Sequence, residues 1–264
     1  MKTRAFLASC RRLIGTWMPA LGLALLSPVL SAHSHVDVQA GPSGQLVLVG
    51  ATKETMLYVP PGEPFTLYAP RFPGGYYATE LTFSSEDPLT PNALPRIQLL
   101  SVSGPPGAAF AFWESGATVP TWARATGWTA SGGDFPEFIT YEDASGVGHI
   151  HGRLFTATHP GTYTVAFRAI DGTASAPRAA SAPYVATIEV LATPPLSIGV
   201  ADRIARLSFA SRTEFTYDLQ SSTDLVTWTN VPAHQFVAGT GGAIEFTDAL
   251  AERVRVFYRL VEYR

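Results

Sequence analysis

Cysteine is all but missing: Cys10 is the single one in 264 residues. It lies in an apolar N-terminal stretch, so the chain beyond it can form no disulfide and offer no thiolate. Any metal ion held there must be held by imidazole or oxygen. Lysine is nearly absent too, with only Lys53 beyond the N-terminal head. A chain so poor in lysine and acidic overall lacks the basic face that nucleic acid requires, which excludes that partner. Apolar residues never recur at helical spacing over a long stretch. Also absent are a Gly-x-Ser-x-Gly elbow, a phosphate loop and a His-Glu-x-x-His helix. No catalytic residue and no residue for an organic cofactor can be assigned, and the sequence identifies no reaction.

What is present begins with an export signal over residues 1–32. Lys2, Arg4, Arg11 and Arg12 form a basic head, Leu13 to Ala32 is uncharged and mostly apolar, and small residues follow Pro28. Cleavage is expected after Ser31 or Ala32 and leaves no membrane span. The protein is thus expected outside the cytoplasm: secreted, periplasmic or on the cell surface. Loss of four basic side chains moves the formal charge from −3 to −7. Cleavage after Ala32 would also free the α-amine of His33, which could join imidazoles around copper.

Short alternating runs fill the rest: "QLVLVG", "PFTLYAP", "RIQLLSVSG", "TYTVAFRAI" and "YVATIEVLA". Each is bounded by Gly, Pro, Ser or Asn, the pattern of an all-β, antiparallel β-sandwich of immunoglobulin-like or jelly-roll-like kind. In "PGTYTVAFRA" the alternation predicts Tyr163, Val165, Phe167 and Ala169 on the core face and Thr164, Ala166 and Arg168 outside. "LATPPLSIG" marks a boundary, giving a sandwich domain over 33–193 and a small C-terminal β-module over 194–264.

The chemistry-bearing residues are histidines. Five of the six fall in two segments, "AHSHVDV" and "GVGHIHGRLFTATHPG". On a strand, residues two apart share a face, with Cα atoms roughly 6.6 Å apart. His149 and His151 would then point one way, and so would His33, His35 and Asp37. Adjacent strands lie about 4.8 Å apart, so pairing of the two segments would let three or four ligands surround one cation. Imidazole and carboxylate suit zinc best, with copper or nickel next. The metal-ligand candidates are His35, Asp37, His149 and His151, followed by His33 and His159. Glu142 and Asp143, just upstream, are further carboxylates.

"HVDV", "VSGPPGAAFAFW" and "GHIHGRLFTATHPGTYTVAFRA", in that order, resemble the bacterial surface-anchored protein domain, also called the choice-of-anchor M domain. They also resemble secreted proteins repressed by the zinc-uptake regulator. The resemblance spans about Ala32 to Ala192. It implies an exported β-sandwich tied to metal supply, whose partners are a metal ion and a metal-uptake system or cell-surface component. His35 and Asp37 match that family's "HVDV", and His149 and His151 match its His-x-His. His33 and His159 have no counterpart there. Many members of that family finish with an apolar helix and a basic tail, whereas "VFYRLVEYR" here reads as a strand. The last module resembles small β-domains ending many secreted proteins of Verrucomicrobia-like bacteria, which implies a spacer or sorting role.

A different reading rests on "FAFWESGATVPTWARATGW". If Trp113, Trp122 and Trp128 are exposed, they could stack on sugar rings and make the protein an adhesive, carbohydrate-binding surface module. If they cover the core, that face does not exist.

Overall fold

The chain builds strands from its alternating runs and closes them with Gly- and Pro-rich turns. A computed structural model describes residues 34–66, 68–85, 93–175, 177–250, 253 and 255–264. The expected signal, with Cys10, and His33 lie outside the described residues. Among the described residues there is no helix, and none long and apolar enough to cross a membrane. The protein is all-β.

The first fourteen strands are β1 (His35–Ala40), β2 (Leu46–Gly50), β3 (Lys53–Val59), β4 (Tyr76–Thr79), β5 (Thr82–Ser85), β6 (Pro95–Ser103), β7 (Ala109–Trp113), β8 (Trp122–Ala125), β9 (Trp128–Thr129), β10 (Glu137–Ile139), β11 (Gly148–His149), β12 (Leu154–Ala157), β13 (Gly161–Asp171) and β14 (Tyr184–Val190). They form a four-stranded sheet, β11-β5-β1-β2, and a ten-stranded one, β10-β6-β13-β14-β3-β4-β12-β7-β8 with β9 beside β6. Pairing is antiparallel except for β1 with β5 and β14 with β3. The larger sheet nearly closes on itself. β8 bonds to β7, and β9, which follows it after a two-residue turn, bonds to β6. Phe138 of the edge strand β10 also stacks on Phe112 of β7, with ring centroids 4.6 Å apart.

The small sheet covers the large one. Val36, Val38, Leu46 and Phe83 from the former share a core with Ile97, Leu99, Phe112, Phe155, Val165, Phe167 and Ile188 from the latter. The alternation in β13 falls as expected: Tyr163, Val165, Phe167 and Ala169 are fully buried. The described residues of "PFTLYAP" form no strand. Pro64 and Pro70 bracket it, and it turns on Thr66, whose Oγ1 accepts from the Tyr68 N–H and whose carbonyl accepts from Ala69 N–H. Proline removes ladder donors, so alternation alone cannot make a strand here. The resulting loop is pinned by Ala69 and Phe72, which pack with Trp113 and Leu154 in a satellite cluster.

The remaining strands are β15 (Ser197–Ala201), β16 (Ile204–Ala210), β17 (Thr216–Ser222), β18 (Thr229–Asn230), β19 (Val237–Ala238), β20 (Ala243–Ala249) and β21 (Phe257–Tyr263). Sheet β15-β16-β20 packs on the sheet built around β17, over a separate core of Leu207, Phe209, Tyr217, Leu219, Phe246 and Leu260. Residues 32–264 nevertheless form one compact unit. Arg259 Nη2 pairs with Glu63 at 2.6 Å and Gln220 Nε2 donates to the same oxygen at 2.8 Å. Arg212 donates to the Ala192 carbonyl at 2.6 Å, and Arg264 to Thr55 at 2.7 Å.

One carboxylate works against stability. Glu54 on β3 stands beside the core residue Ile188, and its Oε1 is buried without a hydrogen-bond partner. Burial raises its pKa, against the opposing pull of Ser34 and Arg264. A carboxyl raised on folding stabilises most while protonated, below the ordinary carboxylate range near 4.3, and that share is lost as pH rises through the folded value. Glu54→Gln is therefore expected to raise the Tm by a few degrees at pH 7. The gain over the wild type should vanish in acid, which differential scanning calorimetry across pH 3–7 would record.

Candidate functional site

The two histidine segments meet, though not by pairing with each other. β5 lies between them: β1 runs parallel to it, with Asp37 opposite Ser84, and β11 antiparallel, with His149 opposite the same Ser84. Residues directly opposite share a face, so Asp37, Ser84 and His149 form a row across three strands. His35, two residues from Asp37 and opposite Thr82, joins that face. Val36 and Val38 point the other way into the core, which sets the imidazoles on the sheet's outer side. The expectation of adjacent strands is thus corrected: His35 and His149 sit two strand spacings apart, and their rings lean toward each other over β5. The ring centroids are 5.0 Å apart, edge to face.

His151 reaches the cluster by a different route from the one its spacing suggests. β11 ends at His149, and His151 stands in the turn that follows. Its ring still lies 4.5 Å from that of His149, and the two Nε2 atoms are 3.0 Å apart. Tyr68, from the pinned loop, stacks on the other side of His151 at 4.6 Å. Four rings therefore stand in file: His35, His149, His151, Tyr68. All three imidazoles are half-buried.

Glycine makes this turn. Gly146 has φ +74°, and a Cβ there would lie 1.9 Å from the Ala93 carbonyl oxygen. Gly152 has φ +75°, and a Cβ there would lie 2.1 Å from the Tyr68 carbonyl oxygen. Both are left-handed positions with backbone pressed against them, where only glycine fits without displacement. Beyond the turn, Arg153 is buried and fans out: Nη2 donates to Glu114 Oε2 at 2.9 Å, Nε to Glu114 Oε1 and Nη1 to the Ile139 carbonyl. Its guanidinium also lies over the Phe112 and Phe138 rings. On the opposite flank Ser85 Oγ donates to the Gly146 carbonyl at 2.6 Å. Gly152→Ala is expected to cost about 1–3 kcal/mol, because its Cβ would press on the Tyr68 carbonyl, and chemical denaturation of the variant would check it.

The other sequence candidates fall as follows. Asp37 is on the same face, but its carboxylate accepts a hydrogen bond from Ser84 Oγ. His159 is not part of the cluster. It follows the far end of β12, where Thr158 bonds to Ala109, whereas His151 precedes the near end, where Leu154 faces Trp113. Its Nδ1 bonds to Thr158 Oγ1 at 2.8 Å. Asp143 is solvent-exposed and caps its own turn by accepting from Ser145 N–H. Two residues in the site carry no sequence signal of their own. Tyr68 is one. Glu80, which accepts from Gly152 N–H at 3.3 Å, is the other; it lies two residues before Thr82.

The tryptophans line the core. Trp113 is fully buried and donates to Thr156 Oγ1 at 2.8 Å. Trp122 and Trp128 are partly buried and packed against the main core cluster. No three-tryptophan surface exists.

Chemically, two nitrogens 3.0 Å apart can share an ion. With bonds of roughly 2.0–2.1 Å they subtend about 95° at the metal. The same separation is also that of a hydrogen bond between a protonated and a bare imidazole nitrogen. Among the described residues, no three or more His, Cys, Asp and Glu side chains are grouped as a ready-made metal cage. The His35 ring lies beside the pair, edge to face with His149. No family model matches the sequence, and no curated protein is similar enough to count as a relative.

Proposed function

We propose that this is an exported, non-catalytic metal-binding protein that captures or holds zinc outside the cytoplasm. His149 and His151 would supply the first two ligands and His35 the third, with copper as the competing ion. The observation that carries the reading is the 3.0 Å separation of the His149 and His151 Nε2 atoms, with the His35 ring against His149. Two segments more than a hundred residues apart in sequence bring their imidazoles to one half-buried spot on a rigid sheet. Thiolate is not an option beyond Cys10, so imidazole is the zinc-suited nitrogen ligand this chain offers. The resemblance to surface-anchored domains and to zinc-regulated secreted proteins agrees with this reading, and so does the export signal that the sequence leads one to expect. A metal-uptake system or another cell-surface component would then be the partner. Isothermal titration with zinc and with copper tests it: saturable binding at one site supports it, and a flat zinc titration of the wild type overturns it.

A further inference from the structure

Strand β15 ends its sheet on a free edge: β16 bonds to one side of it and no described strand to the other. All five of its residues are exposed. Natural sheets guard such edges with charge, proline or a bulge. Ser197–Ala201, "SIGVA", carries none of these, and its register with β16 is unbroken. Asp202 and Arg203, both at positive φ, join it to β16 by a tight two-residue turn.

The face of this strand is as telling as its edge. Ile198 lies opposite Leu207, and Val200 opposite Ala205. Leu207 and Ala205 are buried in the second core, so Ile198 and Val200 are on the core side of the sheet. They are nonetheless 55% and 62% exposed. The facing sheet stops short, and the core's apolar surface overhangs.

We infer that β15 is a self-association edge, on which a second copy of this chain adds its own β15 antiparallel. The sequence selects this occupant. Ile198 and Val200 flank Gly199 symmetrically, as antiparallel pairing about a two-fold axis requires. With Gly199 facing its counterpart, Ile198 of each copy falls opposite Val200 of the other. All four apolar side chains then lie on the core side, where each overhang covers its mate. The two three-stranded sheets become one of six strands. No like charges meet, since the paired segment has none. So short a contact falls at or below the roughly 1,200 Å² of a stable interface, so the dimer is reversible.

Sedimentation equilibrium of the full chain over a range of concentrations tests this. The mass is expected to rise toward twice that of one chain. Ile198→Lys with Val200→Lys sets positive charge against positive charge and should hold the protein monomeric. Ile198→Lys with Val200→Glu sets Lys against Glu in every cross-strand pair and should restore the dimer. A monomeric wild type at every concentration overturns the inference. So does a dimer that survives the double lysine change, or a Lys/Glu variant that stays monomeric with an unchanged circular dichroism spectrum.

Discussion

Replacing His149 and His151 together with alanine is expected to abolish saturable zinc binding, weakening it by more than about 100-fold. Loss of an outer-shell partner alone typically weakens metal affinity about 10–100-fold, and this change removes two direct ligands. His35→Ala should fall between the double variant and the wild type, because its ring is alongside the pair rather than at the shared point. Asp37→Asn should change affinity least, since Ser84 already engages that carboxylate. A second readout is thermal. An ion bound only by the folded state adds about 2.7 kcal/mol at one hundred times its Kd. At about 2–4 °C per kcal/mol for a chain of this size, zinc should raise the Tm of the wild type by about 5–10 °C. It should leave the double variant where it was. A wild type whose Tm ignores zinc would end the metal reading, whatever the variants do.

The ranking differs from the one spacing alone suggests, and the difference has a physical cause. Period two in "HVDV" correctly sends Val36 and Val38 inward and His35 and Asp37 outward, because a single buried face forces the choice. The alternation of β13 was legible for the same reason. Which strand lies beside which was not, because local sequence says nothing of partners far along the chain. "TFSS" is short and mostly polar, yet it is the strand that runs between the two histidine segments. Ser84 donates to one oxygen of Asp37, a contact that spacing did not foretell. His159 stands apart because β12 carries the chain away from the other histidines before the turn at Pro160. Tyr68 was invisible: it arrives on a stretch whose alternation suggests a strand but whose prolines make it a loop.

The largest stability effect near the site is expected from Glu114→Ala. Arg153 is 8% exposed and its guanidinium is tied to Glu114, to the Ile139 carbonyl and to two phenylalanine faces. Removing the carboxylate leaves a buried cation without its counter-charge, a loss of about 3–5 kcal/mol when the pair is fully buried. The Glu114 side chain is 42% exposed, so water offsets part of that, and about 3 kcal/mol is expected. Arg153→Met should cost less, because it removes the charge together with the need to satisfy it and keeps an apolar stem against Phe112 and Phe138. Combining the two changes should then be milder than the sum of the singles, a non-additivity that a double-mutant cycle by urea denaturation measures. The site should feel the same change. Arg153 follows the His151 turn directly and ties it to β7 and β10, so Glu114→Ala should also weaken zinc binding while every proposed ligand remains. Full zinc affinity in a Glu114→Ala protein that has lost stability would mean the turn holds its shape without the strut, and that Gly146 and Gly152 with the Tyr68 stack suffice to place His151.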